Sequence, residues 1–200
     1  SVIISSVVPG HTVVFNEAFN KLTEKEAEIL MVSHKINTGL AFKVNAPEEL
    51  GTDRIANAAG AYRLYKSPVA VLDFGTATTV TAVDQHANYI GGSIMPGLGL
   101  MNDILDKGTS VLKKIAMEPP SSALGKDTAG CIKSGLFYGT AGAVERVLEE
   151  MEKEAGCKFN AIITGGYGRI MDKFIQRPHN INKNLIFEGL RILYENNRSA

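Results

Sequence analysis

The chain has 200 residues, 44% hydrophobic and 21% charged, the proportions of an ordinary globular protein long enough for one or two cores. Its 21 basic and 21 acidic residues cancel to a formal charge of zero, so neither nucleic acid nor a membrane is expected as a partner. Cys131 and Cys157 form no CxxC motif and fit reduced thiols of a cytoplasmic protein, and no apolar run reaches the roughly 18 residues of a membrane span.

Val2 to Val8 is rich in β-branched residues and stops at Pro9-Gly10, which predicts a strand rather than a signal peptide, since no basic residues precede it. Val14, Phe15, Phe19 and Leu22 recur at helical spacing within His11 to Leu22. A strand is expected over Ala27 to Val32, a loop over Asn37 to Leu50, and a helix over Arg54 to Tyr65. Tyr62 and Tyr65 read as core residues of that helix. Ser67-Pro68 marks the expected domain boundary. Val69 to Phe74, Val80 to Val83 and Tyr89 to Ile94 then predict an antiparallel meander with short turns, ended by Pro96 to Gly99. Helices are expected at Leu100 to Leu105, Ser134 to Ala155 and Leu185 to Tyr194, with a short buried strand at Ala161 to Thr164.

Three loops carry candidate chemistry. In DFGTATT the Gly-Thr turn lets backbone N–H groups approach an anion, and its hydroxyls add donors. Asp73 cannot bind phosphate itself and would hold a cation or its water shell. A metal-bound nucleotide phosphate and a plain polar hairpin both satisfy these residues; the GxxxxGK[ST] loop is absent. In IITGGYG, a strand ending in Thr164-Gly165-Gly166 can lie against a flat ligand such as adenine, or simply turn. In GTDRIAN, Thr52 can cap a helix with Asp53 favoured in its first turn. Alternatively, Asp53 is a general base and Arg54 an anion anchor, because a guanidinium forks onto a carboxylate. The histidines (His11, His34, His86, His179) have no ligand spacing.

Taken in order, these segments resemble the type III pantothenate kinases of the acetate kinase–sugar kinase–Hsp70–actin superfamily. ISSVVP, GTDRIANA, DFGTATT, YIGGSIMPG, GKDT, SGLFYG, TGG and FEGLRILYENN carry the resemblance along almost the whole chain. It implies an α/β fold of two ribonuclease H-like (actin-like ATPase) domains, here 1–68 and 69–200. It also implies transfer of the γ-phosphoryl group of ATP to pantothenate, giving 4'-phosphopantothenate, the first step toward coenzyme A. Mg²⁺, a monovalent cation (K⁺ or NH₄⁺) and a homodimer come with it. By position, Asp53 would be the catalytic base, and Gly51, Thr52, Arg54 and Thr128 would line the pantothenate site. Gly75, Thr76, Thr78, Gly165 and Gly166 would contact ATP, and Asp73 would serve the metal.

Three departures stand out. Asp127 replaces an Asn or Ser of the family, and KVNAP places Val44 where the family has an aromatic residue. The family's opening Asp-x-Gly-Asn-Thr meander has no counterpart, so the first domain is expected to be shortened on its N-terminal side. The rival expectation is a non-catalytic regulatory or accessory protein of the same fold. Asp53, Arg54, Asp73 and Thr76 argue against it, because a scaffold does not need all four. A superfamily phosphatase fits GTDR less well.

Overall fold

The computed structural model describes residues 2–7, 9–22 and 29–198; Val8, Ala27 and Glu28, included in the expected strands, lie outside them. The chain forms two compact units. The first holds the described residues up to Ser67, then Val83–Gly91, then those from Asn184 onward, and the second holds Pro68–Ala82 and Gly92–Lys183. The expected division put everything after Ser67-Pro68 into one domain. In the structure the helix expected at Leu185 to Tyr194 lies in the first unit.

In that first unit, β1 (Val2–Ile4) pairs in parallel with β2 (Ile29–Met31), Val2 opposite Ile29, and α1 (Pro9–Leu22) connects them. Parallel neighbours need such a crossover. β3 (Ala41–Phe42) pairs with the start of β6 (Asn88–Pro96), setting Phe42 opposite Tyr89. β3 and a 3₁₀ turn at Pro47–Glu49 occupy the segment expected to be all loop. α2 (Thr52–Tyr65) crosses α6 (Leu185–Asn197) at their small residues. A methyl on Gly60 would lie 3.0 Å from the Gly189 backbone, and one on Gly189 would overlap the Ala56 carbonyl. That close approach explains why α6 belongs here. Val32, Ile55, Ala56, Ala59 and Leu193 form the core. The Asn197 amide locks the end of α6, donating to Asn37 O at 2.8 Å while Asn37 N–H donates back at 2.8 Å.

The second unit holds β4 (Val69–Phe74), β5 (Ala77–Val83) up to Ala82, β6 from Gly92 on, β7 (Asn160–Thr164) and β8 (His179–Ile181), in the sheet order β6-β5-β4-β7-β8. The short β4–β5 connection permits only an antiparallel hairpin, as the meander predicts. β4 runs parallel to β7, with Asp73 opposite Thr164. Every β4 residue except Asp73 is buried, the pattern of a strand covered on both faces. α3 (Leu98–Gly108) and α4 (Thr128–Ala155) lie between β6 and β7 in the chain. α4 begins six residues before the expected Ser134, because Asp127 caps it by accepting from Gly130 N–H at 2.6 Å. The short α5 (Gly168–Met171) and β8 escape sequence periodicity, being too brief to show one. Buried Glu152 of α4 is held by the Arg177 guanidinium, by Lys158 Nζ at 2.6 Å and by Phe159 N–H at 3.2 Å.

Candidate functional site

The first group of candidate residues sits at the start of α2. Gly51 is the N-cap, and no side chain caps the helix there. Thr52, for which capping was one of two readings, is instead the first helical residue. Its hydroxyl donates to Ser6 O at 3.2 Å, which leaves Ser5 Oγ to donate to it at 2.9 Å. Asp53 Oδ1 accepts the N–H of Arg54 at 2.8 Å, so the carboxylate is folded over the helix start where the dipole favours it. A methyl on Gly51 would come within 2.5 Å of that oxygen, so glycine is what makes this fold-back possible. The Arg54 guanidinium lies 5.8 Å from the centre of the Tyr89 ring, and Tyr89 stacks at a tilt on Phe42, 5.7 Å between centroids.

The second group lies in the other unit and is built from backbone. Asp73 is the one half-buried residue of β4, between buried Leu72 and Phe74, with exposed Thr76 three residues on at the turn. Gly75 N–H donates to Ala77 O at 3.1 Å and Gly97 N–H to Thr76 O at 3.0 Å. A methyl on Gly97 would overlap the carbonyl oxygens of Gly75 and Thr76. Gly165, at φ +92°, packs so close that a methyl there would overlap Asp73 Oδ1 and the Phe74 backbone. The sequence thus brings Asp73, Gly75, Thr76 and Gly165 together, with Gly97 as a neighbour that sequence reasoning treated only as a strand end. Its signal was Pro96-Gly97 opening a helix with no capping side chain. Around Gly166 the space is open.

Thr78 differs from Thr76. Its side chain is fully buried and its hydroxyl has no partner among the described residues. The cause is strand alternation: Thr78 and Val80 point inward, while Ala77 and Thr79 are partly exposed. Thr128 begins α4, exposed, beside a 330 Å³ cavity lined by Pro119, Pro120, Lys126, Asp127 and Lys133 among others. A 520 Å³ cavity opens at the far end of α2, among Tyr62, Arg63 and Lys66, and contains none of the expected site residues. Tyr62, expected in the core, is only partly buried and donates to Gln85 O at 3.1 Å.

Among the described residues no three His, Cys, Asp or Glu side chains gather as a metal cage. His34 packs edge-on against Phe42, and His179 bonds Asp172 at 2.8 Å. The side chain of His11 lies outside the described ones. One half-buried carboxylate beside Gly75 and Gly165 nevertheless fits Mg²⁺ carried by a nucleotide, since that ion takes one or two protein carboxylates and fills its other positions with phosphate oxygens and water.

The family model described as type III pantothenate kinase matches residues 1–150. A type III pantothenate kinase from Brevibacillus brevis is 37% identical over 198 residues, 99% of this chain and 77% of the relative. Those from Moorella thermoacetica and Roseiflexus sp. are 35% and 39% identical over 98% of this chain and 76% of each relative. A crystal structure of a conserved Baf family protein from Campylobacter jejuni, 19% identical, superposes with a TM-score of 0.62 over 90% of this chain and 86% of that one, a likeness of fold. The chain belongs to the type III pantothenate kinase family.

Proposed function

We propose that this protein transfers the γ-phosphoryl group of ATP to the hydroxyl of pantothenate, giving 4'-phosphopantothenate in coenzyme A biosynthesis. The observation that carries this reading is 35–39% identity to three type III pantothenate kinases across 98–99% of the chain. In this reading Asp53 takes the proton from the substrate hydroxyl. The oxygen then bonds to the γ-phosphorus as the bond to the β-bridging oxygen breaks, and ADP leaves. Gly51, Thr52, Arg54 and Thr128 bind pantothenate, with Arg54 on its carboxylate. Asp73 would hold Mg²⁺, and that ion would supply charge neutralisation at the phosphates. Gly75 and Thr76 face the phosphates, and Gly165 and Gly166 face the adenosine. A monovalent cation, K⁺ or NH₄⁺, assists at the phosphates.

The finer fold reading is two ribonuclease H-like domains of the actin-like ATPase kind, supported by strand order and by parallel β4–β7 pairing in the second unit. The assembly is taken as a cytoplasmic homodimer. Unbridged Cys131 and Cys157 fit a reducing compartment. On the open side of α4, Gly135, Gly139 and Gly142 have free space and Tyr138 is 43% exposed, which lets a second backbone come close. The accessory-protein alternative has no observation of its own, because 19% identity to a Baf family structure speaks only of fold.

The test is ADP release with and without pantothenate, together with mass spectrometry of the product. Pantothenate-dependent release with a product one phosphoryl group heavier than the substrate is expected. ADP release that ignores pantothenate would overturn the reading.

A further inference from the structure

Arg54 carries a long, flexible side chain at a helix start, and an anion anchor that must be ordered on binding loses affinity to that ordering. The first unit supplies a platform for it. Tyr89 is fully buried and its ring lies 5.8 Å from the Arg54 guanidinium carbon, within cation–π range. Backbone pairing sets that ring in place: Lys43 N–H donates to Tyr89 O at 2.9 Å, and Phe42 lies opposite Tyr89 in the β3–β6 register. Phe42 braces Tyr89 at 5.7 Å, tilted by 41°, and His34 stands edge-on behind Phe42 at 6.5 Å. The rings thus form a chain from His34 to Arg54. A buried aromatic with these neighbours has few rotamers, so it restricts where the guanidinium can rest.

We infer that Tyr89, braced by Phe42, is a positioning residue that holds Arg54 ready for the carboxylate of the acceptor. The inference rests on the reading of Arg54 as the pantothenate anchor and adds the part of the molecule that sets its selectivity for an acid over a neutral analogue. Tyr89 itself touches no reacting atom. Losing the platform should therefore weaken recognition of the carboxylate and leave phosphoryl transfer alone.

The experiment is calorimetric titration of the whole protein and of Tyr89→Leu, Tyr89→Phe and Phe42→Leu with two ligands. One is pantothenate and the other pantothenol, in which a hydroxymethyl group replaces the carboxylate. Tyr89→Leu should raise the Kd for pantothenate about 3- to 30-fold while pantothenol binding stays as in the parent. Tyr89→Phe keeps the ring and should match the parent for both. Phe42→Leu should shift pantothenate in the same direction by less. In turnover, KM for pantothenate should rise with kcat unchanged. Equal losses for both ligands, or no loss for either, would overturn the inference. If Tyr89→Leu does not fold, Phe42→Leu decides by the same criteria, since Phe42 is only partly buried. A parent that binds both ligands equally also overturns it, and leaves the kinase reading standing. A parent that binds neither sinks the acceptor reading and the inference with it.

Discussion

The start of α2 and the β4–β5 turn are built in opposite ways. At α2 the chemistry is in side chains: Asp53 bonds the amide beside it and Arg54 leans on a ring. At the turn it is in the absence of side chains, where Gly97 packs on the Gly75 and Thr76 carbonyls and Gly165 on Asp73 and Phe74. A site of the first kind should tolerate a change of shape better than a change of charge. A site of the second kind should do the reverse.

The sharpest way to break that comparison is Asp53→Asn, which keeps shape and removes charge. Turnover should fall about 10²–10⁴-fold, the usual worth of a positioned general base, with the thermal midpoint unchanged. Near-normal turnover at saturating substrates would reduce Asp53 to a helix-terminal residue. The converse change is Gly165→Ala, which adds one methyl and no charge. With φ at +92° and Asp73 Oδ1 in the way, it should cost about 2–4 kcal/mol in denaturant unfolding and take ATP binding with it. An alanine variant as stable as the parent would show that the backbone there yields.

Glu152→Gln separates scaffold electrostatics from both regions. Burial pushes the Glu152 carboxyl up, but Lys158, Arg177 and Phe159 N–H outweigh it and hold it below its ordinary value of 4.5. A carboxyl lowered by folding stabilises above its unfolded value and loses that contribution as pH falls through the folded one. The variant should be about 2 kcal/mol less stable than the parent near neutrality, with the gap closing below about pH 4. A gap that is constant across pH would mean packing, not charge, sets it. Asp73→Ala should weaken ATP–Mg²⁺ about tenfold, worth about 1.4 kcal/mol, and leave pantothenate alone. Equal ATP–Mg²⁺ affinity by calorimetry would remove Asp73 from the cation. Smallest of all is Thr78→Val. The hydroxyl is buried and unpartnered, so its loss should be neutral or stabilise by up to about 1 kcal/mol, with ATP affinity intact. A marked fall in affinity would restore Thr78 to the phosphate contacts.

What was legible in the sequence follows the same division. DFGTATT and TGG could be read because glycine at a strand end leaves few explanations, and both sit where their patterns predict. Strand alternation through Thr78 is just as readable, since Ala77 and Thr79 flank it on the more open face. Which residue caps α2 could not be read, because capping depends on the backbone angles of Gly51, which composition does not reveal. The Tyr89 platform was invisible, since only the parallel β3–β6 register brings Phe42 beside it. The final helix looked like any amphipathic helix. Its partner was encoded in Gly60 and Gly189, which mean little until they face each other.

That return of α6 to α2 has a consequence for synthesis on the ribosome. α2 is finished at Tyr65, yet the helix that covers it does not begin until Leu185. At cellular elongation rates the delay is on the order of ten seconds. Throughout it the small-residue face of α2 has no mate, while every strand of the second unit emerges before Asn184. The second unit can therefore complete itself during translation before α6 emerges, whereas the first must wait for α6. Chaperone demand, and the damage done by premature stop codons, should concentrate on the unit that carries Asp53.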